Sequence, residues 1–214
     1  VPAGHPDDTA DQPHITTNSY GSGAVENDGW DLSSRYVTLI NKGYVAQQGI
    51  TLPDGGNRSP LFVGSTGNSG FGYGTVTSPQ PETAVMVGVS TVFGQYNLCD
   101  TALDPEWVNW GQLGGFSDRG PTSMATLGVH VLANGFFGSG NIPLNWLTGG
   151  DWAVDYWSGT SRSGPEVGGI LALIYDAFYQ EKGRYPAWHE ARTLLMNGAR
   201  TLYSDPMAQG AGMA

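Results

Sequence analysis

The chain has 214 residues, enough to bury one sizeable core. Its formal charge is −10, with nine basic residues and no basic cluster, which excludes a nucleic-acid backbone as partner. No run reaches the roughly 18 apolar residues of a membrane span, and the lone Cys99 excludes a disulfide within the chain.

Residues 1–13 are rich in Pro and Asp and have no hydrophobic period, so they read as a linker or a loop after a chain break. They also lack the basic start and apolar run of a signal peptide, so Val1 reads as a processed or internal start. Residues 14–214 then read as the C-terminal part of a domain that begins further upstream. Ile15-Thr16-Thr17-Asn18-Ser19 is a β-branched run ended by Gly21 and Gly23, and predicts a short strand. Leu32–Gln48 places Leu32, Tyr36, Leu39, Ile40, Tyr44 and Val45 at helical spacing, and predicts an amphipathic helix. Leu61–Gly64 and Thr83–Val92 read as buried strands, and Val129–Ala133 as another. A helix follows Ser161, and a second covers Pro186–Ala199 with Leu194 and Leu195 on its inner face. Strands alternating with helices predict an α/β fold with a parallel sheet. Three or four strands make a thin sheet, whose faces and first edge need cover from strands upstream of Val1.

Only 13% of residues are charged, while there are 33 glycines and 13 prolines. Two readings fit: a surface partly covered by another chain, or a turn-rich extracellular protein with an uncharged polar surface. Cys99 is either a buried structural thiol or a bridge to a second chain.

Gly159-Thr160-Ser161-Arg162-Ser163-Gly164-Pro165 puts a serine between a glycine turn and an apolar helix. The free N–H groups and the dipole at a helix start favour negative charge developing there. Ser161 can be a nucleophile; it can equally be a helix N-cap. Gly64-Ser65-Thr66-Gly67-Asn68-Ser69-Gly70 offers Asn68, a side-chain amide held by glycines at a strand end, as an oxyanion donor. The same residues are ordinary turn chemistry. The Gly70–Gly74 run is not a phosphate loop, because no Gly-Lys-Ser/Thr and no helix follow it.

These segments resemble the subtilisin-like proteases (subtilases) in family order. Leu61 to Gly70, Thr75 to Pro79 and Ala84 to Val89 are similar to the family's oxyanion-asparagine region. Phe116-Ser117-Asp118-Arg119-Gly120-Pro121 is similar to its Phe-Ser-Ser-Arg-Gly-Pro, and Val129–Gly135 to its Val-x-Val-x-Ala-Pro-Gly, with Asn134 for Pro. Gly159–Pro165 resembles Gly-Thr-Ser-x-x-x-Pro, with Glu166 where His is usual, and Gln209–Gly212 resembles a terminal block of pyrolysin-like members. The resemblance implies a subtilisin-like parallel sheet flanked by helices, of which this chain supplies the C-terminal half. It implies Ser161 as nucleophile and Asn68 as oxyanion donor. Ser19-Tyr20-Gly21 would pair with the substrate backbone, and Ser65-Thr66-Gly67 would face it across the primary pocket. Thr77 stands where glycine is common at the pocket floor, so a preference for small or medium residues before the cleaved bond is expected.

A serine needs a base, and the base an orienting carboxylate. The chain has four histidines, His5, His14, His130 and His189, none in a His-Gly-Thr-His context, and it has no Asp-Thr-Gly. The resemblance therefore implies that the catalytic Asp and His lie upstream. Three readings follow: a protease cut in a surface loop whose pieces stay together as a heterodimer, an isolated and unstable fragment, or an inactive peptide-binding or structural subunit of protease ancestry. The sedolisins, which use Asp at the oxyanion position, are disfavoured by Asn68, and an α/β-hydrolase by the missing second glycine of Gly-x-Ser-x-Gly. No cofactor is needed for the chemistry. The resemblance allows a structural calcium ion, and implies a polypeptide substrate and an extracellular or cell-surface location.

Overall fold

Four β-branched or apolar segments pair into one parallel sheet in the order β1-β2-β3-β4. They are β1 (Ile15–Asn18), β2 (Leu61–Ser65), β3 (Val85–Thr91) and β4 (Val131–Phe136). The computed structural model describes residues 13–23, 27–42, 60–70, 72–91, 112–136, 138–141, 154–202 and 205–214. Register places Ile15 opposite Leu61, Val63 opposite Val85, and Val87 opposite Val131. Every residue of β2 and β3 is buried. Their near-continuous apolar runs are what a parallel sheet covered on both faces requires. The α/β expectation holds.

On one face, Val63, Val85, Val87, Val131 and Ala133 meet two helices, α2 (Thr160–Lys182) and α3 (Trp188–Gly198). Val167, Leu171 and Tyr175 come from α2, Ala191 and Leu195 from α3. A Cβ added at Gly168 would lie 2.5 Å from Thr17 Cγ2, so glycine lets α2 lie directly on β1. On the other face, Phe62, Ala84 and Met86 pack with Val37 of α1 (Leu32–Asn41). A short α4 (Pro206–Gln209) turns the chain back, and Ala211, Gly212 and Ala214 hydrogen-bond along the free side of β4.

Two expectations about helix faces are corrected. On α1, Leu32 is 86% and Tyr36 62% exposed. The inward face is mostly polar apart from Val37: Ser34 Oγ and Thr38 Oγ1 accept from the N–H groups of Gln80 and Glu82, and Asn41 Nδ2 donates to Thr83 Oγ1. Hydrogen bonds to the approach of β3, together with the Val37 contact, fix this helix. On α3, Leu195 is buried while Leu194 is 44% exposed. Neighbouring helix residues point about 100° apart, and the inward pair is Ala191 with Leu195, one turn on.

Boundaries also move. The third buried run begins its strand at Val131 rather than Val129, and the first strand ends at Asn18. The sequence reading omitted a two-stranded antiparallel sheet, β5 (Gly138–Asn141) with β6 (Val154–Trp157). β5 is half glycine, a composition that argues against a strand on its own. Residues 43–48 of the predicted first helix, Cys99, His5 and residues 1–12 lie outside the described residues.

His130 sits between β3 and α3. Its Nδ1 accepts the Met86 N–H at 2.9 Å, and Arg192 Nη1 lies 3.4 Å from Nε2. The same Nη1 donates to Glu82 O and Ala84 O. Burial, with the neighbouring guanidinium, pulls the imidazole down to about 3. The unfolded chain therefore binds this proton first as pH falls below about 6.5. Stability should then decline between pH 6.5 and 3 at about 1.4 kcal/mol per pH unit from this group. In His130→Asn, whose amide oxygen can accept from Met86, urea midpoints should lose this component of the slope. Equal pH slopes in both proteins would contradict it.

Candidate active site

The start of α2 is set by glycine. Gly159 is its N-cap with φ of 152°, in a region unfavourable to side chains, and its N–H donates to Gly135 O of β4 at 2.7 Å. Ser161 is thus the second residue of the helix and not its cap. Pro165 has no N–H to give Ser161 O, the acceptor one turn back. Ser19 Oγ donates to Ser161 O instead, at 3.2 Å. Ser65 Oγ, at the end of β2, donates to Thr160 O at 2.9 Å. The ends of β1 and β2 therefore hold the helix turn that carries Ser161.

Asn68 is held by the same turn. Its Oδ1 accepts from Thr160 N at 2.8 Å and from Thr160 Oγ1 at 3.0 Å. Both partners donate, so Oδ1 is the anchored end of the amide; Nδ2 is its other end, 3.7 Å from where a Cβ on Gly159 would lie. Among the described residues nothing accepts from Nδ2. The loop bearing Asn68 crosses a buried carboxylate. Asp118 Oδ1 accepts the Ser69 N–H at 2.6 Å, and the Asp118 N–H donates to Gly67 O at 3.1 Å. Gly67 has φ of 114°, and a Cβ there would sit 1.9 Å from Asp118 Oδ2, so no side chain fits. Burial pushes the Asp118 carboxyl up to about 6, against the pull of the Ser69 N–H.

A cavity of about 340 Å³ collects Ser19, Tyr20, Gly21, Ser65, Gly67, Asn68, Thr77 and Ser161, with Gly23, Ser69 and Thr160. Eight residues singled out from sequence thus meet in one place. Thr66, the ninth, is fully buried and does not line it. Its carbonyl instead accepts from both N and Oγ1 of Thr77, at 2.9 and 3.1 Å. The Thr77 hydroxyl lies close to two glycines: a Cβ on Gly21 would lie 2.5 Å from it, and one on Gly67 3.0 Å. Ser22 and Ser78 bridge in antiparallel fashion below, and the Ser78-Pro79 and Gly120-Pro121 bonds are cis.

None of the three described histidines lines this cavity. His14 lies tilted against Tyr185, with ring centroids 4.1 Å apart, His130 is engaged by Met86 and Arg192, and His189 packs beside Trp188. The cavity offers a hydroxyl, an amide side chain and the N–H groups of a helix start. That set can receive a carbonyl carbon and its developing oxyanion; it holds no described base. Sequence reasoning missed Thr160 and Asp118. Thr160 had a signal in its place beside Ser161, whereas the placing of Asp118 under Gly67 depends on contacts 51 positions apart in the chain.

Among the described residues, no three or more His, Cys, Asp or Glu side chains gather to hold a metal ion. Likewise no described helix is long and apolar enough to cross a membrane.

Residues 6–212 match the family described as Peptidase S8, Subtilase family. The chain is 30% identical over 204 residues to Pyrolysin of Pyrococcus furiosus, covering 90% of this chain and 13% of that protein. It is 26% identical to Tripeptidyl-peptidase 2 of Drosophila melanogaster, covering 93% of this chain and 12% of that one. The solved structure of Sphericase superposes with a TM-score of 0.59 at 20% identity, covering 99% of this chain and 64% of that chain. The chain thus spans only about an eighth of the length of these curated relatives.

Proposed function

The chain belongs to the subtilase family, and from that premise we propose that it is the nucleophile-bearing part of a serine endopeptidase whose catalytic Asp and His come from an upstream segment or chain. The observation that carries this reading is the pairing of Ser161 with Asn68 across Thr160 in one cavity. A binding module has no need for an amide donor held beside a serine.

In this mechanism an extended peptide pairs with Ser19–Gly21, and its scissile carbonyl lies between Ser161 and Asn68. A histidine from the upstream segment takes the Ser161 proton as Oγ bonds to the carbonyl carbon. Asn68 Nδ2–H and the Ser161 N–H stabilise the oxyanion. The tetrahedral species collapses to an acyl-enzyme, the amine leaves with the histidine's proton, and water releases the acid product by the reverse path. Two surface features support an upstream partner. Among the described residues β1 is paired on one side only, and Leu173, on the helix that carries Ser161, is 73% exposed. An extracellular or cell-surface site of action follows from the family reading.

The alternative is an inactive peptide-binding or structural subunit, favoured by the lack of a described histidine in the cavity. The deciding experiment takes the protein under non-denaturing conditions, measures its native mass, sequences any co-purifying chain, and assays peptide hydrolysis. A partner carrying Asp-Ser/Thr-Gly and His-Gly-Thr-His segments, with activity, supports the protease. A stable, inactive 22.6 kDa species supports the binding role.

The Thr77 hydroxyl, close to Gly21 and Gly67, supports a shallow pocket. Cleavage is expected after small or medium residues. Thr77→Gly should raise kcat/KM for Phe or Tyr at that position by roughly tenfold or more, about the discrimination one or two methylenes support. Efficient wild-type cleavage after Phe or Tyr in a substrate panel would refute this.

A further inference from the structure

We propose that Asp118 is a positioning residue, whose carboxylate holds the Gly67–Gly70 loop so that the Asn68 amide meets the oxyanion. The inference deepens the protease reading and rests on it. Asp118 is fully buried. It grips the loop at two points: Oδ1 accepts from Ser69 N–H, directly after Asn68, and its own N–H donates to Gly67 O, directly before it. Gly70 N–H donates to Phe116 O at 3.0 Å, which extends the seam. On its other side, Asn68 is tied to Thr160. The asparagine is thereby held from beneath and from the helix that carries the nucleophile.

The second oxygen, Oδ2, is buried and has no hydrogen-bond partner among the described residues. It lies against Gly67, where a Cβ would be only 1.9 Å away. Stability alone does not call for a carboxylate here, since an unpaired buried oxygen is costly. The group makes sense as a short, charge-assisted acceptor for the backbone of the loop. That bond fixes the direction in which Asn68 projects, and displacement of about 1 Å in a donor of this kind can lower a rate by about 10²-fold.

The test uses the complete, active protease and four variants. Asp118→Ala should lower kcat roughly 10- to 100-fold with KM within about twofold, since the acceptor acts on the transition state and not on substrate binding. Asp118→Asn, whose amide oxygen can still accept from Ser69, should recover most of kcat. Asn68→Ala combined with Asp118→Ala should be little worse than Asn68→Ala alone, because both act through one donor. In parallel, hydrogen exchange of the Ser69 amide should quicken at least about tenfold in Asp118→Ala. Retained kcat, a loss in Asp118→Asn equal to that in Asp118→Ala, or a multiplied loss in the double variant would overturn the proposal. If the wild-type protein proves to hydrolyse nothing, the protease reading fails by itself. The exchange measurement then decides whether Asp118 holds the loop, and an unchanged Ser69 rate overturns that too.

Discussion

Ser161→Ala is expected to lower kcat by about 10⁶-fold in the protein assembled with its Asp- and His-bearing segment, the size seen when a Ser-His-Asp protease loses its nucleophile. The expectation follows from position. Ser161 is the second residue of α2, inside the cavity, and its turn is pinned by Ser19, Ser65 and Gly135. Because these bonds reach the main chain around residue 161 and not its hydroxyl, the alanine variant should keep its fold and melt within about 0.5 kcal/mol of wild type. A fluorophosphonate should label Ser161 in the wild-type assembly and leave Ser161→Ala unlabelled. Full turnover in the alanine variant, or labelling at another serine, would remove Ser161 from the chemistry.

The second large effect belongs to Asn68. Asn68→Asp retains an oxygen to accept from Thr160 N and Oγ1, so the anchor survives, but it exchanges the amide N–H donor for an acceptor. At neutral pH it should lower kcat by roughly 10²- to 10³-fold, the usual cost of losing one oxyanion donor. KM should stay within about threefold, because the ground-state carbonyl draws less on that donor than the oxyanion does. If KM rises and kcat stays, Asn68 binds substrate and does not stabilise the transition state.

Asn68 and Ser161 were both legible as residues, since each stands in a short glycine-bounded segment whose chemistry is local. That they belong to one site was legible only through the order of the surrounding blocks. Thr160 shows why the rest was not. It lies beside Ser161 in the chain, yet its role comes from an acceptor 92 residues away. Asp118 stands in sequence as one residue of the Phe116–Pro121 block; only packing shows that it is buried under Gly67. α1 carries the opposite lesson. Its spacing of Leu32, Tyr36 and Leu39 foretold a helix correctly and its buried face wrongly. Periodicity records which residues share a face, but which face turns inward depends on what the sheet presents to it.

By itself, then, the sequence determined the parallel α/β arrangement, because runs such as Leu61–Val63 and Val85–Val89 must be buried on both sides. It also determined the helix start at Gly159–Ser161, because glycine alone supplies the backbone there and Pro165 releases the Ser161 carbonyl. Tertiary structure alone decided which end of the Asn68 amide is anchored, how close Thr77 lies to Gly21 and Gly67, and that Asp118 lies beneath the loop. Those are distances between segments remote in the chain, set by close packing of the sheet, its helices and the turns that join them.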